Sequence, residues 1–583
     1  MPKLAVTRLR RTDIRRAAQA MGLFLAVLAA GAQAQAGWVV PPLPVGPYAV
    51  ACSNVDQDFS RVRAGETAQE YWEGLPKDGR SRYLTDLLID PDHAHIVTRA
   101  LPSDSTLFGP FAGSTFTYAY LICYPTDASN TRADFVLPDG PVVPRMQRGA
   151  EAPIFPAASG RFPVMLYGHG LSGSPLSDGY MDSIRDMASH GYVVIAAFHG
   201  DLRFADLDLD SFEDAIYALL HFKTFIAMQS ARPISMSWAL DIVLDHPDFR
   251  DHIDANKVVG FGASMGGEAM MLMAGAALTT SLGQSSTQVT KDLRLKAAVG
   301  YVPYFGIDVY PAFGRDLKGL DNVTMPFLAI SGTADKTAPI TTVERGIARL
   351  KSTRQLVALN GVRHEYDLPS TNDIITWTHT FLAGQLSGDP ILRAASARMA
   401  SVAGGGDDSE RIDYMAPSTV QVNASGTPVE AIVVEYYNAA LNHYFITAEI
   451  AEQAMLDAGI VVPGWARTGY QFKLRPADAT IGLAACRFFG TPPLGPNSHF
   501  FTIDGAECAK VKANPLWTYE GLAFLADPPT AGDCAADRIP VIRLYNNGMG
   551  GQANHRFTTS RSESRAMQAN GWILEGNVMC AIP

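Results

Sequence analysis

The segment Gly262-Ala263-Ser264-Met265-Gly266 constrains this chain more than any other. It is a G-x-S-x-G element between two apolar runs, Val258 to Phe261 before it and Ala269 to Ala274 after it. The first run reads as a buried strand and the second as a buried helix. A serine at the sharp turn between them takes strained backbone and projects its hydroxyl. Glycines two residues to either side are needed where strand and helix pass too close for a Cβ. Alone, the five residues also describe an ordinary Gly/Ser turn, and the rest of the chain decides.

A serine hydroxyl is a weak nucleophile. It needs a base, a group that orients the base, and donors for the oxyanion. Behind a strand–serine–helix element the acid and then the histidine are expected at later strand ends. Phe327 to Ile330 reads as a strand and runs into Gly332-Thr333-Ala334-Asp335. Leu356 to Leu359 reads as the next, and runs into Gly361-Val362-Arg363-His364. The expected roles are Ser264 nucleophile, His364 base and then acid, and Asp335 orienter. Asp308 and Asp321 follow no strong strand, His379 falls in a helical pattern, and His199 precedes the serine. The oxyanion donors are expected from the amide of Met265 and from the loop Gly168-His169-Gly170-Leu171-Ser172-Gly173, where Leu171 is the candidate and His169 a brace. Nothing in this chemistry calls for a metal or cofactor.

Around these points strands and helices alternate. Tyr118 to Tyr124, Pro163 to Tyr167, Tyr192 to Phe198 and Ala297 to Tyr301 read as further strands. Tyr180 to His190, Ile234 to Leu244 and Ile374 to Leu386 read as helices. That rhythm predicts an α/β fold with a mostly parallel sheet covered on both faces.

At 583 residues the chain exceeds one core, so at least two domains are expected. Basic residues from Lys3 to Arg16, an apolar stretch from Met21 to Ala32, and Ala-Gln-Ala sites at 32–34 and 34–36 predict a secretory signal peptide over 1–36, cut after Ala34 or Ala36. The apolar stretch is too short to span a bilayer. A net charge of −11 excludes phosphate-rich partners such as nucleic acid, and no later stretch predicts stable membrane insertion. Export makes the six cysteines a disulfide framework. Cys52 and Cys123 stand apart from Cys486, Cys508, Cys534 and Cys580, which implies one bridge early and two late. Cys52–Cys123, Cys486–Cys508 and Cys534–Cys580 is the pairing adopted, although the sequence leaves the last four open.

Residues 37–395 read as the catalytic domain. Residues 396–429, with Gly404-Gly405-Gly406-Asp407-Asp408, read as a linker. Residues 430–583 carry an internal repeat. His443-Tyr444-Phe445, His499-Phe500-Phe501 and His555-Arg556-Phe557 share H-x-F with histidines 56 residues apart. Trp465, Trp517 and Trp572 follow, each with a glycine four residues on. Each unit reads strand, strand, short helix, strand, strand, giving a three-repeat, mostly-β, aromatic-rich accessory domain. Its histidines read as hydrogen-bonding groups rather than metal ligands.

Residues 40–390 resemble the α/β-hydrolase superfamily. They are similar to the branch of platelet-activating-factor acetylhydrolases, dienelactone-hydrolase-like esterases and cutinase-type polyester hydrolases. The resemblance rests on Phe162 to Leu171, on Ala188-Ser189-His190-Gly191-Tyr192-Val193-Val194, and on Gly262 to Gly267. Gly332 to Pro339 and Gly361 to His364 complete it. It implies an α/β-hydrolase fold and a secreted serine esterase or lipase working through an acyl-enzyme. Polyester or phospholipid esters are the alternative substrates, and the accessory domain points to an insoluble or polymeric one. The C-terminal repeats resemble an uncharacterised module of secreted bacterial proteins, which implies no activity. A reading from another class is a secreted binding or adhesion protein on an inactive hydrolase scaffold.

Overall fold

Val164 and Leu166 face one side of a strand and Met165 and Tyr167 the other, and all four are fully buried. A strand apolar on both faces belongs inside a sheet covered on both sides. The computed structural model describes residues 38–53, 96–136, 142–147, 151–157, 160–171, 173–177, 179–201, 204, 220–460, 462–549 and 553–583. The signal-peptide reading falls outside them.

Among the described residues, ten strands form the main sheet. They are β1 (Ala49–Ser53), β2 (Ile96–Ala100), β3 (Thr115–Thr126), β4 (Phe162–Gly168), β5 (Val193–Ala197), β6 (Ile253–Ala263), β7 (Leu295–Tyr301), β8 (Phe327–Gly332), β9 (Arg354–Leu359) and β10 (Asp408–Ile412). Their order is β10-β9-β8-β7-β6-β4-β5-β3-β1, with β2 also on β3. The six from β9 to β5 are mutually parallel. The outer strands pair antiparallel on both edges, so the sheet is mixed. Helices α1 (Tyr180–Ser189) and α5 (Thr371–Leu386) cover one face. Helices α2 (Phe222–Asp245), α3 (Met265–Met273) and α4 (Ile340–Arg349) cover the other.

The expected linker is not a tether over its first half. Helix α6 (Pro390–Arg398) and a short strand, Met399–Val402, precede β10, which completes the sheet against β9. The glycine run is a tight loop between the two strands. Gly404 and Gly405 take φ of 75° and 82°, a conformation that glycine adopts without strain.

Three sheets of three strands follow. The first holds β11 (Ala431–Asn438), β12 (His443–Thr447), α7 (Ile450–Ala458) and β13 (Trp465–Leu474). The second holds β14 (Leu483–Gly490), β15 (His499–Thr502), α8 (Gly505–Lys512) and β16 (Trp517–Ala526). The third holds β17 (Ile539–Tyr545), β18 (His555–Thr558), α9 (Arg561–Ala569) and β19 (Ile573–Ala581). Each unit is therefore strand, strand, helix, strand. The expected fourth strand is the far half of one long strand. In it the glycine after each Trp takes φ of 89° (Gly469), 116° (Gly521) or 102° (Gly576), and the ladder shifts register nearby, as in a bulge.

The repeat register also differs from the histidine spacing. Tyr436 pairs with Phe445, Phe488 with Phe500 and Leu544 with Arg556. Tyr437 packs on Tyr444, Phe489 on His499 and Tyr545 on His555. Tyr444, His499 and His555 are thus equivalent. His443 corresponds instead to Ser498 and Asn554. The even 56-residue interval of the histidines is a coincidence, because the equivalent positions Tyr444, His499 and His555 are 55 and then 56 residues apart. The sheets contact each other pairwise and share an apolar core through Phe445, Phe501 and Phe557.

The repeats pack directly on the α/β region. Arg561 Nη1 donates to Ala397 O at 2.9 Å, and its Nη2 donates to Met399 O at 2.8 Å and Glu410 Oε2 at 2.6 Å. Arg398 donates from the other side to Cys534 O, Ala535 O and Asp533 Oδ2. Disulfides join Cys52 to Cys123, Cys486 to Cys508 and Cys534 to Cys580. No helix among the described residues is long and apolar enough to cross a membrane.

Candidate active site

The ends of three parallel strands, β6, β8 and β9, deliver three side chains to one point. β6 ends at Ala263, and Ser264 turns the chain into α3 with φ 53° and ψ −119°. The turn is possible because β4 and α3 nearly touch. A Cβ on Gly266 would lie 2.0 Å from the Gly168 carbonyl oxygen, and one on Gly262 would lie 2.2 Å from Gly266. Asp335 follows β8 and His364 follows β9.

Ser264 Oγ lies 2.8 Å from His364 Nε2, and His364 Nδ1 lies 2.7 Å from Asp335 Oδ2. Asp335 is spent on this contact and on its own loop, since its Oδ1 accepts the amides of Thr337 at 2.9 Å and Ala338 at 2.8 Å. Its side chain is wholly shielded from solvent. Asp308 and Asp321 are elsewhere, paired with Arg345 and Arg349. His379 packs on His190 and Asp186, where burial lowers its pKa to about 4.

Met265 opens α3, so its amide belongs to the first turn, where helix geometry offers no internal acceptor. Gly170 lies against the nucleophile, with its Cβ position 3.5 Å from Ser264 Cβ and its amide donating to Tyr180 Oη at 3.2 Å. Leu171 follows it and packs on the apolar cluster of α2. His169 is the brace that the loop needs. Its Nδ1 donates to Gly170 O at 2.7 Å and its Nε2 accepts the His199 amide at 3.2 Å. Burial, and then the nearby Arg232, lower its pKa to about 3, so the ring is neutral.

Arg232, Asp201 and Glu268 escaped the sequence reading. Arg232 is buried in α2. It donates to the carbonyls of His169 at 2.7 Å and Gly170 at 2.9 Å, and its Nε donates to Asp201 Oδ1 at 2.9 Å. Glu268, one turn beyond Ser264, accepts from Gln229 Nε2 at 2.7 Å, and burial raises its pKa to about 8 despite Arg232. The signal was available, because Arg232 and Glu268 are lone charges inside apolar helical runs, a placement that demands a partner.

Asp186, His190 and His379 are the one group of three possible metal-ligating side chains among the described residues. Both ring nitrogens of His190 already face oxygen acceptors, Asp186 O at 3.0 Å and Pro44 O at 3.2 Å, so the ring has no lone pair to offer a metal.

Among family models, a domain of unknown function (DUF5648) matches residues 391–527 and again 432–582. Overlapping matches of one model are what a repeated sequence produces, and both spans lie beyond His364. No curated protein matches the chain at a significant level.

Proposed function

We propose that the chain is a serine hydrolase of carboxylic esters with an α/β-hydrolase fold. The carrying observation is the hydrogen-bonded series Ser264–His364–Asp335, raised from the ends of parallel strands β6, β8 and β9 in the chain order serine, acid, histidine. In this reading Ser264 Oγ attacks the acyl carbon as His364 Nε2 takes its proton. Asp335 stabilises the imidazolium, and the amides of Met265 and Leu171 receive the oxyanion. Collapse breaks the ester C–O bond, and His364 returns the proton to the leaving alcohol. Water then attacks the acyl-enzyme with the same base, releasing the acid and restoring Ser264. No cofactor is needed. The three disulfides support an oxidising, extracytoplasmic setting.

The test is hydrolysis of p-nitrophenyl esters from acetate to palmitate by the protein and by Ser264→Ala, beside fluorophosphonate labelling. Activity lost with Ser264, and labelling at that residue, are the expected results. The chain-length optimum then separates short-chain, lipid and polyester-like substrates. Equal rates in both proteins, with Ser264 unlabelled, would sink the proposal and restore the binding-protein reading.

A further inference from the structure

A half-open cavity of about 500 Å³ lies where the α/β region meets the first and third repeats. Its walls combine Pro390, Pro428 and Ile481 with three guanidinium groups, Arg393, Arg475 and Arg538. The volume falls within the range of small-molecule sites, which favour such junctions.

The charges around it are unequally matched. Lys473 is paired with Glu430 at 3.1 Å, and that carboxylate also accepts the Gln421 amide. Arg475 is bidentate on Asp527 at 2.8 and 3.0 Å, and Arg538 shares Asp527 at 2.6 Å while holding Asp537 at 2.7 Å. Arg393 differs. Among the described residues it makes no ion pair, and its Nε is buried without a hydrogen-bond partner. Asp478 on the rim is exposed and forms no ion pair either, so it does not neutralise Arg393.

A guanidinium on a cavity wall with no carboxylate paired to it has donors left for an anion from solvent. A planar guanidinium fork matches a carboxylate in bidentate fashion. Glu430 and Asp478 on the same walls disfavour a dianion. The proline and isoleucine walls suit an apolar or sugar ring rather than a bare ion. We propose that this junction cavity binds a small organic carboxylate, with Arg393 as its anchor. Two sources share that chemistry, a carboxylic acid released by ester hydrolysis and a uronic acid unit of a polysaccharide.

The experiment uses the full chain and its Ser264→Ala variant, with benzoate, glucuronate, phosphate or chloride at equal ionic strength. Thermal unfolding and calorimetry are the readouts. Benzoate or glucuronate is expected to raise Tm by about 2 °C over chloride at ~10 mM, in both proteins alike. Which of the two binds identifies the source. Arg393→Ala should weaken binding at least ~10-fold, and Arg393→Gln serves if Ala does not fold. No binding by either carboxylate, equal binding by phosphate, or unchanged binding in the Arg393 variant overturns the proposal. Because Ser264→Ala retains this site, its failure is distinct from failure of the esterase reading.

Discussion

The guanidinium of Arg232 donates to the carbonyl oxygen of Gly170 at 2.9 Å, so a buried cation on α2 positions the loop that faces Ser264. Replacing it by Met would free that loop and leave Asp201 buried without its cation. The expected cost is about 3–5 kcal/mol of stability. kcat should fall as the oxyanion donors lose their register. Denaturant midpoints and kcat on the best p-nitrophenyl ester check both. Unchanged kcat in a folded variant would show that the loop holds its place without Arg232.

Asp335→Asn separates geometry from charge. Thr337 and Ala338 donate to one oxygen of this side chain, so an Asn keeps its own oxygen there and turns its NH2 toward His364. Nδ1 must then accept, which places the ring proton on Nε2, facing Ser264. The base is lost while the fold is kept, and kcat/KM is expected to drop by ~10⁴-fold. A drop under tenfold with unchanged Tm would remove Asp335 from the triad.

What was legible and what was not follows from how far each interaction reaches. Ser264, Asp335 and His364 could be read because each sits just past a buried strand, and an apolar run followed by a glycine-rich loop is a local pattern. Arg232 was hidden by Pro233. Proline reads as a helix start, so the sequence pattern opens the helix at Ile234, whereas α2 carries Pro233 inside it. The glycine run at 404–406 resembled a linker because the partner of β10, strand β9, lies far earlier in the chain. The repeat was recognised but misaligned by one residue. The recurring histidines mark the repeat, but hairpin pairing sets which side chain faces the core, and only pairing fixes that register.

Glu268 makes the stability of the α/β region depend on pH. Its folded pKa, raised by burial to about 8, lies above the ordinary 4.5. Between those values the folded protein binds the proton that the unfolded chain has lost. Stability from this group is therefore full below about pH 4.5 and is lost progressively as pH rises to about 8. Glu268→Gln keeps an acceptor for Gln229 and cannot ionise. Urea midpoints from pH 5 to 9 should fall less steeply in the variant. Parallel slopes would show that Glu268 is not neutral in the fold.

Cutting the chain after residue 395 removes β10 and bares the edge of β9, a template for association. That fragment is expected to aggregate, whereas one ending at 415 retains the strand. Even the longer fragment loses Arg561, the cation that reaches the buried Glu410 carboxylate at 2.6 Å. In the full chain, Arg561→Ala should cost about 1–3 kcal/mol, because the buried acceptors on Ala397, Met399 and Glu410 lose their donor. Size-exclusion profiles of the two fragments and the midpoint of the variant are the measurements. A monomeric, stable 1–395 fragment would mean that β10 is dispensable.

The three repeat junctions share one device, and one of them is rewired. Arg487 lies 5.1 Å over the Phe445 ring and pairs with Glu452, and Arg543 lies 5.1 Å over the Phe500 ring and pairs with Glu507. At the third junction the corresponding positions hold Glu435 and Arg556, which pair at 2.8 Å, and Arg556 also takes Glu563. The cation stands at the position of the aromatic ring, on β18, and a carboxylate stands at the position of the cation, on β11. Arg556→Phe alone leaves Glu435, 1% exposed, without its cation, at a cost of about 3–5 kcal/mol. Glu435→Arg alone sets two guanidinium groups against each other. The double variant recreates the pattern of the other junctions, with the guanidinium on β11 lying over the new aromatic ring on β18 and in reach of Glu563. It should recover most of both losses. A double-mutant cycle on urea midpoints measures the coupling, and additive losses would show that the three junctions are not equivalent.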